Sequence, residues 1–196
     1  MALRGAQTLL TPEEYITFER KFIPNANTVR NEFVNGKIVP MSGSNLAHNL
    51  ITGNIAIGLH EQLKSVGCDV LMNEMRVSSP LTSSYFYPDI VIVCEEPRFE
   101  DNVFDTLLNP VVIIEVLSPT TEAYDRGEKF SHYRQLESLQ EYIIVSQDRV
   151  NVERYLRKPD EWGYTSYQDL EQKVPLASIQ CELSLQEIYD RVTFPE

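Results

Sequence analysis

The 196-residue sequence contains few cysteines and no long apolar run. Its three cysteines, Cys68, Cys94 and Cys181, are odd in number, far apart and set in apolar surroundings. They predict small buried residues in a reducing compartment, and neither a disulfide framework nor a zinc site. No stretch reaches the length of a membrane span, and the first residues lack the apolar core of a secretory signal. We therefore expect a cytoplasmic protein.

Basic residues are also scarce, since 17 Lys and Arg stand against 29 Asp and Glu, for a net charge of −12. This charge argues against tight, non-specific binding of nucleic acid by the surface as a whole. It leaves room for local basic patches, and a metal site built from carboxylates would add to the acidity. The length predicts one domain, with an N-terminal helix and hairpin over 1–40, a core over 44–157 and an extension over 158–196.

One apolar segment with a single charged residue stands out. Val111–Leu117 is interrupted only by Glu115 and is flanked by Pro110 and Pro119. Its length and its β-branched residues predict a buried strand, and the prolines mark its ends because they cannot donate to a sheet ladder. A carboxylate inside such a strand must be paired, protonated or bound to a metal.

A second segment of the same kind lies upstream. Tyr87–Cys94 predicts another buried strand, with Asp89 near its start. Two buried strands that each carry one carboxylate suggest a site for a divalent cation. If the two side chains share a face of the sheet, their oxygen atoms should lie about 4–6 Å apart, since ligand distances are about 2.0–2.6 Å.

Other patterns predict the remaining elements. Thr11, Pro12 and Glu14 form the capping box of a helix that ends at Pro24, and Asn35-Gly36 predicts a hairpin over Arg30–Pro40. Further along, the patterns predict a long helix from Ser44 or Asn45 to about Ser65 and a strand over Cys68–Val77. A second helix should begin with Asp125 as N-cap and Glu128 in its capping box, and should reach about Leu139. The remaining elements are the paired strands Glu141–Ser146 and Val150–Arg157 and a short helix near Leu185–Val192. The order predicts an α/β (α+β) fold, a mixed sheet between helices.

Several polar residues on these elements are open to two interpretations. Glu32, in the first arm of the hairpin, is either an ordinary exposed strand residue or part of a site. His60 is expected at the surface of the long helix, whereas His48 lies one turn from its start. Lys129 and Tyr133 are four residues apart on a predicted helix and therefore share a face.

An ordered set of motifs resembles the Uma2 family, of the PD-(D/E)XK nuclease superfamily. The motifs span almost the whole chain and are Leu10–Tyr15, Glu32–Ile38, His48, Tyr87–Ile90, Ile114–Pro119, Asp125–Lys129, Tyr133 and Glu141–Val145. The resemblance implies a restriction-endonuclease-like fold. The superfamily has a lysine two residues after the glutamate, but this position is Leu117, and Lys129 on the following helix fits the place from which the Uma2 pattern supplies the lysine.

The resemblance implies hydrolysis of DNA phosphodiester bonds by a homodimer. Asp89, Glu115 and the carbonyl of Val116 would hold Mg²⁺ or Mn²⁺, and Lys129 would orient a water or stabilise the transition state. Glu32 and His48 are further candidates for contacts through water, and Tyr133 would shield the lysine. Arg126, the rival cation, suits phosphate binding better than proton transfer. The alternative is a catalytically degenerate nuclease fold kept as a binding or assembly module.

The position of Lys129 carries two further expectations. Near a helix N-terminus the dipole would lower its pKa. Replacement by alanine should then abolish cleavage but leave metal binding and the fold largely intact, whereas Arg126→Ala should weaken substrate binding in a salt-dependent way.

Overall fold

A computed structural model describes residues 9–22, 30–41, 43–72 and 74–194. In these ranges the strands are β1 (Asn31–Val34), β2 (Lys37–Pro40), β3 (Asp69–Met72), β4 (Arg76–Ser79), β5 (Ser84–Phe86), β6 (Ile90–Val93), β7 (Thr106–Leu107), β8 (Val112–Leu117), β9 (Glu141–Ser146), β10 (Val152–Arg157), β11 (Trp162–Tyr167), β12 (Lys173–Leu176) and β13 (Cys181–Ser184). The α-helices are α1 (Pro12–Phe22), α2 (Leu46–Leu63), α3 (Glu122–Tyr124), α4 (Phe130–Tyr133) and α5 (Leu185–Ile188).

The largest sheet has six strands in the order β11-β10-β9-β8-β6-β3. Its centre is β8, fully buried as the apolar run predicts, which pairs in parallel with β9 and antiparallel with β6. A second sheet of order β2-β1-β5-β4-β7 contains the hairpin, and β12 pairs with β13. The expected mixed α+β architecture is confirmed.

Both faces of the large sheet are covered. On one face α2 packs through Ile51, Ile55 and Leu59 against even-numbered side chains of β8 such as Ile114. On the other face, α4 and residues of the second sheet pack against odd-numbered residues of β8 such as Ile113. Because strand side chains alternate between faces, Glu115 points to the same side as Ile113 and Leu117.

The predicted N-terminal elements form. The Thr11 backbone N–H donates to Glu14 Oε2 (2.8 Å), and the Glu14 N–H donates to Thr11 Oγ1 (3.2 Å), as a capping box requires. In the hairpin, Asn35 and Gly36 have φ of 52° and 79°, the left-handed values of a tight two-residue turn. The expected end of α1 at Pro24 lies outside the described residues.

Helix α2 begins where its N-cap was expected. Asn45 Oδ1 accepts the His48 backbone N–H (2.9 Å), and Gly67 beyond the helix has φ of 76°. His60 is exposed, as predicted. Leu46, in the first turn, is 75% exposed and lies outside the core.

The predicted strand Cys68–Val77 is also wrong as a single element. The segment forms two strands in different sheets, β3 beside β6 and β4 beside β5. The residue pattern does not show where the first strand ends and the second begins, because both strands contain β-prone residues.

The helix expected to start at Asp125 begins one turn earlier. Helix α3 starts at Glu122, a π-helical turn follows over Asp125–Lys129, and α4 completes the segment. We call residues 122–133 the crossover segment, since they connect the parallel strands β8 and β9. Asp125 is therefore not an N-cap, and the segment ends at Tyr133 rather than Leu139.

The cysteines correct a further expectation. Cys68 and Cys94 form a disulfide, whereas Cys181 is buried and free as expected. The pair follows from the register of β3 and β6, in which Asp69 lies opposite Val93, so that the two cysteines extend the ladder by one position. Among the residues described, no helix has the length and apolarity needed to cross a membrane.

Candidate active site

The register of the large sheet brings the two predicted carboxylates together. Ile90 of β6 lies opposite Ile114 of β8, so Asp89, one residue before β6, faces Glu115 from the neighbouring strand. Residues opposite each other in an antiparallel pair have Cβ atoms about 4.5–5.5 Å apart on one face of the sheet. The expectation that Asp89 and Glu115 share a face is therefore supported.

Lys129 lies at the centre of a group of buried carboxylates. Its Nζ is 2.8 Å from Glu115 Oε1, 3.0 Å from Glu32 Oε1 and 3.3 Å from Asp125 Oδ1. Lys129 is 5% exposed, and the three carboxylates are 3–4% exposed. The interpretation of Glu32 as an exposed strand residue is wrong, because β1 turns this side chain inward to the lysine.

The surroundings raise the pKa of both members of the central pair. Burial raises the pKa of Glu115 well above its usual value against the opposing effect of Lys129, and the charges of Asp125, Asp89 and Glu32 add to the rise. Burial alone would lower the pKa of Lys129, but attraction to Glu115, Glu32 and Asp125 raises it well above the usual value. The expected lowering by a helix N-terminus is wrong, since Lys129 lies in the middle of the crossover segment. Lys129 stays protonated and cannot serve as a proton acceptor near neutral pH.

Asp89 is held by two contacts through one oxygen. The Val116 backbone N–H donates to Asp89 Oδ2 (2.8 Å), and His48 Nε2 lies 3.2 Å from the same atom. His48 is buried in the first turn of α2, which ties this helix to the carboxylates. Its expected place beside the site is supported.

Two tyrosines close the inner side of the group. The Tyr133 hydroxyl donates to Glu115 Oε1 (3.0 Å), and the Tyr142 hydroxyl donates to the Asp125 carbonyl (3.0 Å). Burial, followed by the charge of Glu115, raises the pKa of both hydroxyls well above the usual value, so both remain donors. Tyr133 therefore fixes Glu115 directly, rather than only shielding Lys129.

These side chains line one cavity of about 490 Å³. Its walls come from the hairpin, the start of α2, the ends of β8 and β9 and the crossover segment, and its lining residues are Glu32, Val39, Pro40, Met41, Gly43, Ser44, Asn45, His48, Tyr87, Asp89, Glu115, Val116, Ser118, Pro119, Thr120, Thr121, Tyr124, Asp125, Lys129 and Gln147. A cavity of this size has the dimensions of a small-molecule site.

No group of three or more His, Cys, Asp or Glu side chains within 9–22, 30–41, 43–72 and 74–194 has the geometry to hold a metal ion. The reason is visible in the contacts, because the Lys129 ammonium occupies the point on which Glu32, Glu115 and Asp125 converge. Three carboxylates nevertheless contact this one lysine and Asp89 lines the same cavity, so acidic groups are in excess.

Arg126 is not brought to the cavity wall. Its guanidinium pairs with Glu122 (3.0 Å) and with Glu153, so a phosphate would compete with these carboxylates. The assignment of Arg126 as a phosphate contact stays a prediction.

Sequence motifs did not predict three residues of the cavity as part of the site. Asp125 was expected only as a helix cap, yet its carboxylate contacts Lys129. Tyr124 and Gln147 also line the cavity. The signal for Gln147 is its place directly after β9, since the carboxyl ends of neighbouring parallel strands commonly border ligand sites.

The fold and the acidic cavity define a protein of the nuclease fold. A crystal structure described as a "putative nuclease belonging to DUF820" from Anabaena variabilis ATCC 29413 matches with a TM-score of 0.74 over 94% of this chain and 99% of that chain, at 19% identity. The chain belongs to the Uma2 family, described as "Putative restriction endonuclease", which matches residues 12–188.

Two relatives come from Synechocystis sp. (strain ATCC 27184 / PCC 6803 / Kazusa). The uncharacterized protein sll1609 is 34% identical over 84% of this chain and 91% of its own length. The uncharacterized protein slr1290 is 30% identical over 94% of each chain. Both matches agree with membership of one family.

The burial of Lys129 revises the expectation that its removal spares the fold. We predict that Lys129→Met lowers the free energy of unfolding by about 3–5 kcal/mol, because it leaves buried carboxylates without their cation. Lys64→Met is the matched control, since Lys64 also contacts a glutamate, Glu61 at 2.6 Å, but at the surface, where the loss should be small. Urea unfolding at neutral pH measures both. Equal stabilities of the two variants would contradict the buried ion-pair arrangement.

Proposed function

We propose that the chain is a metal-dependent endonuclease that hydrolyses DNA phosphodiester bonds. The observation that carries the proposal is the group formed by Asp89, Glu115 and Lys129 in one cavity: two facing carboxylates from neighbouring strands and a buried cation 2.8 Å from one of them. Membership of the Uma2 family supports the same reaction.

The residues present fit a hard divalent cation. Asp89 and Glu115, with the carbonyl of Val116, supply the oxygen ligands that Mg²⁺ and Mn²⁺ prefer. The contacts described above use Asp89 Oδ2 and Glu115 Oε1, so each carboxylate has a second oxygen to offer. The excess of negative charge favours the binding of a cation. Because Glu115 is buried, its negative charge is stabilised by a positive partner.

When bound, such an ion lowers the pKa of a water and neutralises charge on the phosphate. The chain's own residues supply the rest. Lys129, fixed in its protonated state, stabilises negative charge that develops on the phosphate oxygens. Tyr133 orients Glu115, and Val116 and His48 orient Asp89, so the carboxylates are held in place before substrate arrives.

Cleavage of a supercoiled plasmid in Mn²⁺, Mg²⁺ and EDTA tests this function. We expect nicking with either metal and none in EDTA, and we expect Asp89→Asn and Glu115→Gln to lose both nicking and stabilisation by Mn²⁺. An ion at about 100 times its Kd should stabilise the unaltered protein by about 2.7 kcal/mol. Asp160→Asn, at an exposed position away from the cavity, is the control that should behave as the unaltered protein.

The role of Lys129 needs a variant that keeps the charge. Lys129→Arg should remain folded but lose most of the nicking, because a guanidinium cannot occupy the position of a compact ammonium among three carboxylates. Nicking at the unaltered rate would exclude Lys129 from the reaction. Stabilisation by Mn²⁺ without any nicking would instead favour the degenerate binding or assembly module.

We also propose a homodimer, with DNA as its substrate. Strand β2 lies at the outer edge of the second sheet, and an edge strand offers unpaired backbone groups to a second copy. Sedimentation at micromolar concentration should give twice the 22.5 kDa chain mass. A single species of the chain mass would remove the dimer.

A further inference from the structure

Gln147 is a buried polar residue whose side-chain oxygen is unpartnered within the described part of the chain. It follows β9 directly, lines the cavity and is 7% exposed. Its Oε1 is buried without a hydrogen-bond partner among the residues that the structure describes. A buried amide oxygen normally has a partner, because burial removes the water that it would otherwise bind. The cavity wall therefore contains an acceptor that an entering donor group would satisfy.

Tyr124 supplies a second group of this kind on the crossover segment. Its hydroxyl is also buried and lines the same cavity, where it lies beside the Glu32 carboxylate but makes no hydrogen bond of normal geometry to the described residues. Burial, and then the charge of Glu32, raises the pKa of this hydroxyl, so it remains a proton donor. Lys129 Nζ lies 6.0 Å from the centre of the Tyr124 ring, which places the hydroxyl-bearing ring beside the proposed reaction centre.

The chemistry of a DNA strand determines what these two groups could bind. The phosphate and sugar oxygens of an internal nucleotide only accept hydrogen bonds, so Tyr124 can donate to them. Gln147 Oε1 needs a donor, and the donors of DNA are the N–H groups on the base edges. In a duplex the Watson–Crick edges are occupied by pairing, whereas an unpaired base offers its edge freely.

The size of the cavity leads to the same ligand. Its volume of about 490 Å³ matches a small molecule or one nucleotide. A duplex is too large to enter such a cavity, since its major groove alone admits an α-helix. Glu115 and Lys129 line this cavity and are both buried, so a strand must place a nucleotide inside to reach them.

We infer that Tyr124 and Gln147 form a neutral subsite for one unpaired nucleotide of the DNA strand whose phosphate meets Glu115 and Lys129. The inference rests on the proposed function and adds its substrate class, which is an unpaired nucleotide in a single strand, a flap or a locally unpaired stretch of supercoiled DNA, rather than a relaxed duplex. Uncharged groups suit this task, because the cavity already has an excess of negative charge.

Binding measurements test the subsite without requiring cleavage. Fluorescence anisotropy in Ca²⁺, which takes oxygen ligands as Mg²⁺ does, compares a single-stranded oligonucleotide with a duplex of the same sequence. We expect tighter binding of the single strand, and we expect Gln147→Met and Tyr124→Phe each to weaken it about tenfold, the effect of one lost hydrogen bond in a buried site. Ser138→Ala is the matched control, since Ser138 Oγ is also buried and unpartnered within the described chain but lies outside the cavity lining.

A second readout separates binding from structure. Because the Gln147 oxygen has no partner to lose among the described residues, Gln147→Met should leave the melting temperature unchanged or raise it. A lower melting temperature, or unchanged binding of the single strand by Gln147→Met, would overturn the subsite. Nicking that persists while the subsite fails would leave the proposed function intact, and binding that depends on Gln147 without nicking would reject the nuclease alone.

Discussion

The contact of Lys129 with three buried carboxylates is the interaction on which the site depends. It joins the hairpin through Glu32, the central strand through Glu115 and the crossover segment through Asp125. An unpaired carboxylate inside β8 would be very costly, so Glu115 can occupy a core position only because a cation lies beside it. In turn, the three carboxylates keep Lys129 protonated in a place where burial alone would favour the neutral amine.

The same arrangement places the lysine on the crossover segment and not on the strand. Leu117, two residues after Glu115, packs in the apolar cluster on the face of the sheet that the crossover segment covers. Lys129 reaches Glu115 from this segment, on the same face. The carboxylates thus have a cation beside them, while β8 has an apolar core residue at position 117.

The core of the fold follows from sequence patterns because its signals are local. A β-branched run gave β8, a capping box gave the start of α1, and Asn35-Gly36 gave the hairpin. The facing of Asp89 and Glu115 could also be predicted, since Glu115 lies on a strand of clearly buried character and Asp89 directly precedes another. The family resemblance pointed to Lys129. The motif alone, however, does not show whether this lysine is buried or exposed to solvent.

The remaining features depend on contacts between distant segments. The Cys68–Cys94 disulfide needs the pairing of β3 with β6, and the burial of Glu32 needs the hairpin to pack under the crossover segment. Asp125 and Glu128 satisfy a capping-box pattern, but the turn at Ser118–Thr121 starts the helix earlier, with Ser118 Oγ and Thr121 Oγ1 accepting each other's backbone N–H groups (both 3.3 Å). A local pattern cannot decide between two such starts.

The central claim is that Asp89 and Glu115 form one cation site beside a lysine that stays in place. Crystals grown with Mn²⁺ and measured for anomalous scattering test it most directly. We predict a single strong peak within about 2.0–2.6 Å of oxygen atoms of both Asp89 and Glu115, with Lys129 still in contact with Glu115. A peak held by other residues, or no peak at a Mn²⁺ concentration that stabilises the protein, would contradict the account.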